Sequence, residues 1–214
     1  MAELERFPRV KVCGLTRTED VTLAIESGAE ALGFVVHAPS PRTTTFERVA
    51  ELRERIPPHV LSFAVVVDAQ PDALHAALQM SGLDGAQLCG DEHAPDWTDF
   101  PFPLLRRLGV APGARARAEA WLGLASAFVL DHPTSAGGSG LLVDLLEAAA
   151  LARELPCLLA GGLDGERVVE AIRTVLPLGV DASSRLESSP GVKDPDHLRT
   201  FINSALNTFA ELES

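Results

Sequence analysis

Long apolar runs are missing from this 214-residue chain. The longest, Ala31–Val36 and Phe63–Val67, fall well short of the ~20 residues that cross a bilayer as a helix, so no membrane association is expected. The opening MAELERFPRV is charged and has no apolar h-region, which argues against a signal peptide. Cysteine is scarce. Cys13, Cys89 and Cys157 stand far apart without CxxC spacing, which speaks against a disulfide framework and a zinc site and fits a reducing, cytoplasmic setting. The 6 histidines show neither HxxxH nor HxH spacing, so no metal site is expected. No GxSxG elbow accompanies the Asp131-His132 pair, which removes a hydrolase triad from consideration. Cations are outnumbered, with 18 Lys and Arg against 30 Asp and Glu and a net charge of −12. Nucleic acid is repelled by such a chain, and a phosphate-bearing ligand must be held by local cations and backbone N–H groups.

What is present is alternation. A 46% share of hydrophobic residues is ample for a core. β-like runs occur near Val10–Cys13, Ala31–Val36, Leu61–Val67, Ala86–Leu88, Leu104–Leu108, Ala127–Leu130, Cys157–Ala160 and Gly179–Ala182. Helical patterns lie between them. Phe46, Val49, Leu52 and Ile56 recur at helical spacing and stop at Pro57-Pro58, and Leu141, Leu142, Leu145, Leu146 and Ala149 repeat the pattern. The last helix opens with Asp194 as N-cap and Pro195 at the first position, with Leu198, Phe201, Ile202, Ala205 and Phe209 on one face. Thr16 to Glu19 and Thr44 to Glu47 read as capping boxes. The fourth and fifth units are weakest, Asp91–Asp99 and Ala114–Leu122 offering only short or Ala-rich helices.

Eight β-then-α units with no linker predict one (β/α)8 barrel domain over residues 1–214, near the lower size limit of that fold. A doubly wound open sheet is the rival, and it calls for a glycine fingerprint that Cys13-Gly14-Leu15-Thr16 does not supply. In a barrel all strand C-termini share one rim. Cys13 and Asp131, a thiol and a carboxyl at two strand ends, then face one ligand as a base and acid pair. Alternation puts Lys11 on the face of Cys13, one layer below. The first and eighth strands become neighbours, so Asp181 is expected to pair with Lys11, either as a purely structural ion pair or as part of a device lowering the thiol pKa. Asp181 is also assigned to substrate binding. Gly161 and Gly162 after the seventh strand, Ser183 and Ser184 after the eighth, and Gly138 in the glycine-rich sixth loop are assigned to phosphate binding; the bland reading of Gly161-Gly162 is a tight turn capped by Asp164. Cys89 and Cys157 read as buried small hydrophobes, and Trp97 and Trp121 as packing.

KVCGLTRTED, ALGFVV, SPR, QLCGDE, LD, GGSG, LAGGL and DASSRLESSPGVKD, in this order, resemble phosphoribosylanthranilate isomerase of tryptophan biosynthesis from about residue 10 to about residue 202. The resemblance implies a (β/α)8 barrel without cofactor or metal that converts N-(5-phosphoribosyl)anthranilate to 1-(2-carboxyphenylamino)-1-deoxyribulose 5-phosphate by an Amadori rearrangement. It implies Cys13 as general base, Asp131 as general acid, and Arg42 as partner of the anthranilate carboxylate, where an exposed loop arginine is the plain alternative. A basic residue is expected near the end of the fifth strand, either Arg106 or Arg107. The chain departs from the family pattern at Cys89 (usually histidine), at Leu141 (often polar) and at Arg185 (a glycine position). A related sugar-phosphate or aminoaldose isomerase, or a catalytically silent barrel, are the alternatives. The expected partners are a small phosphorylated substrate and, at most, a second copy of the chain: monomer or homodimer.

Overall fold

The computed structural model describes residues 7–38, 40–133 and 142–214. Eight parallel strands close on themselves: β1 (Val10–Cys13), β2 (Ala31–His37), β3 (Leu61–Val66), β4 (Gly85–Leu88), β5 (Leu104–Gly109), β6 (Ala127–Asp131), β7 (Cys157–Leu159) and β8 (Gly179–Ala182), in sequence order around the ring. β1 pairs with β2 on one side and β8 on the other, which seals the barrel and sets Lys11 opposite both Ala31 and Asp181.

Helices cover the outside: α1 (Thr18–Glu26), α2 (Phe46–Arg53), α3 (Pro71–Ser81), α4 (Ala114–Glu119), α5 (Leu145–Ala152), α6 (Arg167–Val175) and α7 (Pro195–Leu212). The two weak units are as expected. After β4 there is only a 3-10 turn, Ala94–Trp97, and after β5 only the short α4. Trp97 and Trp121 are buried beside them. Between β8 and α7 the chain makes a 3-10 turn, Ser184–Leu186, and a hairpin of β9 (Glu187–Ser189) and β10 (Val192–Lys193).

Local chemistry explains the helix ends, with three corrections. The Asp194 carboxylate accepts from the N–H groups of Asp196 and His197, and Leu198, Phe201, Ile202, Ala205 and Phe209 are buried, as the periodicity requires. Thr16, however, does not cap α1. Arg17 occupies that position, and the Thr16 hydroxyl donates instead to the Gly191 carbonyl at 2.8 Å, tying the β1 loop to the β9–β10 hairpin. The cap of α2 is Thr45 rather than Thr44, since the Thr44 N–H is engaged by the Val35 carbonyl at 2.8 Å. The leucine stripe before β7 is right at Leu145 and Ala149, which pack on the core, and misread elsewhere. Leu141 lies outside the described residues; α5 begins behind the Asp144 cap, leaving Leu142 and Leu146 exposed and burying Ala148, Ala149 and Leu151.

Two cores result. The larger lies between barrel and helices. The smaller fills the barrel, where Ala31, Phe63, Leu105, Ala127, Val129, Leu158 and Ala160 pack together, with Cys13, Val35 and Val65 forming a further layer. Burying each large side chain contributes about 1.5–3 kcal/mol. Among these apolar groups the fully buried Lys11 stands out.

Candidate active site

Cys13 ends β1 and points inward, nearly buried. Its room comes from the neighbouring strand: a Cβ on Gly33 would stand 2.9 Å from Cys13 Sγ and 3.2 Å from Lys11 Nζ. Lys11 Nζ, one layer below, donates to Asp181 Oδ2 at 2.8 Å and to Gln87 Oε1 at 2.9 Å. Burial alone would neutralise that ammonium, but Asp181 and Cys13 outweigh it and hold Lys11 above the ordinary lysine range. The expected Lys11–Asp181 pair is therefore present. It does not give a low thiol pKa, however. Burial pushes Cys13 upward, Lys11 draws it down only in part, and Asp181 pushes it up again. Asp181 Oδ1, buried, has no hydrogen-bond partner among the described residues.

Asp131 ends β6. Its Oδ1 accepts the His132 N–H at 2.7 Å and its Oδ2 accepts Arg107 Nε at 3.2 Å. The choice between the two arginines of β5 follows from parity. Leu105 lines the barrel interior, so Arg107, two residues on, faces the mouth, while Arg106 reaches outward to Glu92, the Gly90 carbonyl at 2.7 Å and the Trp121 ring. Cys89 corrects an expectation. Rather than a plain core residue it is half-buried against the Cys13, Val35 and Val65 layer, where Gln87 Nε2 donates to its sulfur at 3.4 Å and burial raises its thiol to about 12. Cys157 is a buried outer-core thiol, likewise raised to about 12 by burial.

Arg42 is not an exposed loop arginine. At 8% exposure it makes a two-bond fork to Glu187, Nε to Oε1 at 2.8 Å and Nη2 to Oε2 at 2.7 Å. Lys193 Nζ, also buried, donates to Glu187 Oε1 at 3.0 Å, to the Cys13 carbonyl at 2.7 Å and to the Ser183 carbonyl at 3.0 Å. Burial opposes ionisation of Glu187, yet Arg42 and Lys193 hold it below the usual carboxylate range. Gln87, Glu187, Lys193 and Gly33 carry no site assignment from sequence reasoning. Inward parity on β4 is the signal that could have found Gln87, and the LESSPGVKD segment contained Glu187 and Lys193 without revealing what they touch.

Of the phosphate candidates, Gly161 and Gly162 both take positive φ after β7, and Ser183 and Ser184 follow β8. Among the described residues, no protein acceptor engages the main-chain N–H groups of Gly162, Ser183 and Ser184. Asp164 does cap the turn, accepting from Glu166 N at 3.2 Å and Arg167 N at 3.0 Å. Gly138 lies outside the described residues. Arg185 is exposed on the 3-10 turn. Among the described residues no group of three or more His, Cys, Asp or Glu side chains converges as a metal site, and no helix is long and apolar enough to cross a membrane.

The family model for N-(5'-phosphoribosyl)anthranilate (PRA) isomerase matches residues 10–204. The chain belongs to that family. It is 40% identical over 199 residues to the N-(5'-phosphoribosyl)anthranilate isomerase of Citrifermentans bemidjiense, covering 92% of this chain and 96% of that one. Among solved structures, the phosphoribosyl anthranilate isomerase of Thermotoga maritima superposes with a TM-score of 0.86 at 29% identity, covering 94% of this chain and 100% of that one; monomers of that dimeric enzyme have also been solved. A family structure in complex with reduced 1-(o-carboxyphenylamino)-1-deoxyribulose 5-phosphate superposes with a TM-score of 0.84 at 29% identity, covering 94% of this chain and 100% of that one. The barrel and the family expected from the motifs are thus both correct.

Proposed function

We propose that the barrel mouth carries out the family reaction with Cys13 as general base and Asp131 as general acid. The reaction is the isomerisation of N-(5'-phosphoribosyl)anthranilate to 1-(2-carboxyphenylamino)-1-deoxyribulose 5-phosphate, an aldose-to-ketose step of tryptophan biosynthesis. Asp131, entering as the acid, gives its proton to the ring oxygen as the ribosylamine opens. Arg107 stabilises the carboxylate left behind. The iminium so formed acidifies the C2' hydrogen, which the Cys13 thiolate removes, and the enolamine tautomerises to the ketone. Because burial favours the neutral thiol, the reactive thiolate is a minor form. Asp181 Oδ1, lacking a partner among the described residues, is suited to accept a hydrogen bond from a sugar hydroxyl.

Arg42 takes the anthranilate carboxylate. The phosphate lies on the main-chain N–H groups of Gly161, Gly162, Ser183 and Ser184, with Gly138 contributing from the sixth loop. The whole chain, residues 1–214, works as one barrel domain in the cytoplasm, as a monomer or homodimer, and binds no nucleic acid. The observation that carries the reading is the pair of proton-transfer groups at the C-terminal ends of β1 and β6 of one closed barrel. The test is direct: purified protein mixed with freshly made N-(5'-phosphoribosyl)anthranilate should abolish the substrate's fluorescence, and persistence of that fluorescence overturns the reading.

A further inference from the structure

We infer that Glu187 is a positioning residue for this reaction: it grips the Arg42 guanidinium by one edge and aims the opposite edge at the substrate carboxylate. The inference rests on the assignment of Arg42 to that carboxylate. A guanidinium carries five N–H donors in a rigid plane. Glu187 engages Nε and one hydrogen of Nη2, at 2.8 and 2.7 Å. Nη1 has no hydrogen-bond partner among the described residues, so its two hydrogens and the second on Nη2 remain, and the Nη1–Nη2 edge has the spacing of a second carboxylate fork. The stem of Arg42 is pinned as well. A Cβ on Gly14 would stand 2.6 Å from Arg42 Cδ and 2.7 Å from Ser183 Oγ, so the arginine lies directly over the turn that follows Cys13.

Lys193 fixes Glu187 in turn. Its three ammonium hydrogens match three acceptors, Glu187 Oε1 and the carbonyls of Cys13 and Ser183. One fully buried lysine therefore joins the residue that orients Arg42 to the main chain of the proton-transfer base and of the β8 loop. Arg42 and Lys193 share the single Glu187 carboxylate, so the free edge of Arg42 faces no protein carboxylate among the described residues. Removing the negative charge of Glu187 would leave Arg42 and Lys193 facing each other unscreened, and the guanidinium would turn away from its aimed position.

A clasp that merely holds the β9–β10 hairpin against the β2 loop would affect every ligand equally; an aiming device affects only ligands that carry the carboxylate. The experiment measures dissociation constants for reduced 1-(o-carboxyphenylamino)-1-deoxyribulose 5-phosphate and for the same compound without its carboxyl group. Glu187→Gln should weaken the first roughly tenfold or more and the second less than about twofold, the size of one lost charge-assisted hydrogen bond. KM for N-(5'-phosphoribosyl)anthranilate should rise more than kcat falls. If Glu187→Gln does not fold by thermal unfolding, Glu187→Asp, which keeps the charge on a shorter stem, should show the same selectivity with a smaller loss. Equal weakening of both compounds, or of neither, overturns the inference. A wild-type protein that binds neither compound and leaves the substrate unchanged would instead overturn the proposed function itself.

Discussion

The two sides of the barrel mouth are built differently. Around β1 and β8, Lys11, Asp181, Arg42, Glu187 and Lys193 form buried, mutually bonded clusters on both sides of Cys13. Around β5 and β6, Asp131 pairs with Arg107 and also accepts the His132 N–H, and both side chains of the pair are 13% exposed. On the β1 and β8 side the groups around Cys13 are held by bonds within the protein itself. The Asp131–Arg107 pair is more exposed than Lys11–Asp181, at 0% and 7%, or Arg42–Glu187, at 9% and 3%.

The largest test of this contrast is catalytic. Cys13→Ala and Asp131→Ala should each lower kcat by ~10²–10⁴-fold, the usual share of one general acid or base, without unfolding the protein. A folded variant with near-wild-type kcat would remove that residue from the mechanism. Stability should then separate the two sides. Lys11→Met strands a buried Asp181 and should cost about 3–5 kcal/mol in urea unfolding, whereas Arg107→Met leaves an Asp131 that is 13% exposed and still accepts the His132 N–H, and should cost less, about 1–3 kcal/mol. Equal losses would erase the distinction.

Gly33→Ala sharpens the comparison at Cys13, the group its methyl would meet most closely. Its new methyl would meet the thiol sulfur at 2.9 Å, and the displaced base should lower kcat by ~10–100-fold while KM changes little. Stopped-time turnover of the variant measures this, and an unchanged kcat would show that the sulfur has room the packing denies.

The smallest effects are in pH. Burial raises the Cys13 thiol, and the active form is the deprotonated one, so kcat/KM should climb as pH rises through neutrality and beyond the ordinary thiol value of ~8.5. A flat profile from about pH 6 to 9 contradicts a thiolate base. The Glu187 pKa is shifted in the opposite direction. Its folded pKa is held below the ordinary value, so its contribution is present above ~4.3 and is lost as pH falls through the depressed value; Glu187→Gln should flatten that acid limb of the unfolding midpoint.

Some of this architecture is legible along the chain. The Asp194-Pro195 start of α7 and its buried face are local events, set by capping and by 3.6-residue periodicity. The Lys11–Asp181 pair follows from alternation once closure of the barrel is assumed. Other features are hidden. Thr16 has the composition of a helix cap, but the hairpin that competes for its hydroxyl begins 171 residues later, at Glu187. Arg106 and Arg107 are indistinguishable until a neighbour reveals which face of β5 is interior. Leu142 and Leu146 have the right spacing for a core stripe and are left outside because Leu142 precedes α5 and Leu146 lies on its solvent face, opposite the buried Ala148, Ala149 and Leu151.

The sequence by itself determined the alternation of strands and helices, the chemistry standing at each strand end, and the family. Those are properties of neighbours within a few residues, where backbone period and side-chain type decide the outcome. Only the tertiary structure decided that Arg42 is gripped by Glu187, 145 residues away, that Lys193 bonds to the carbonyl of Cys13, 180 residues away, and that burial raises the Cys13 thiol. Each depends on how closely the closed ring brings distant segments together and how much water it removes from between them, and desolvation and hydrogen-bond geometry are properties of that packing rather than of any stretch of chain.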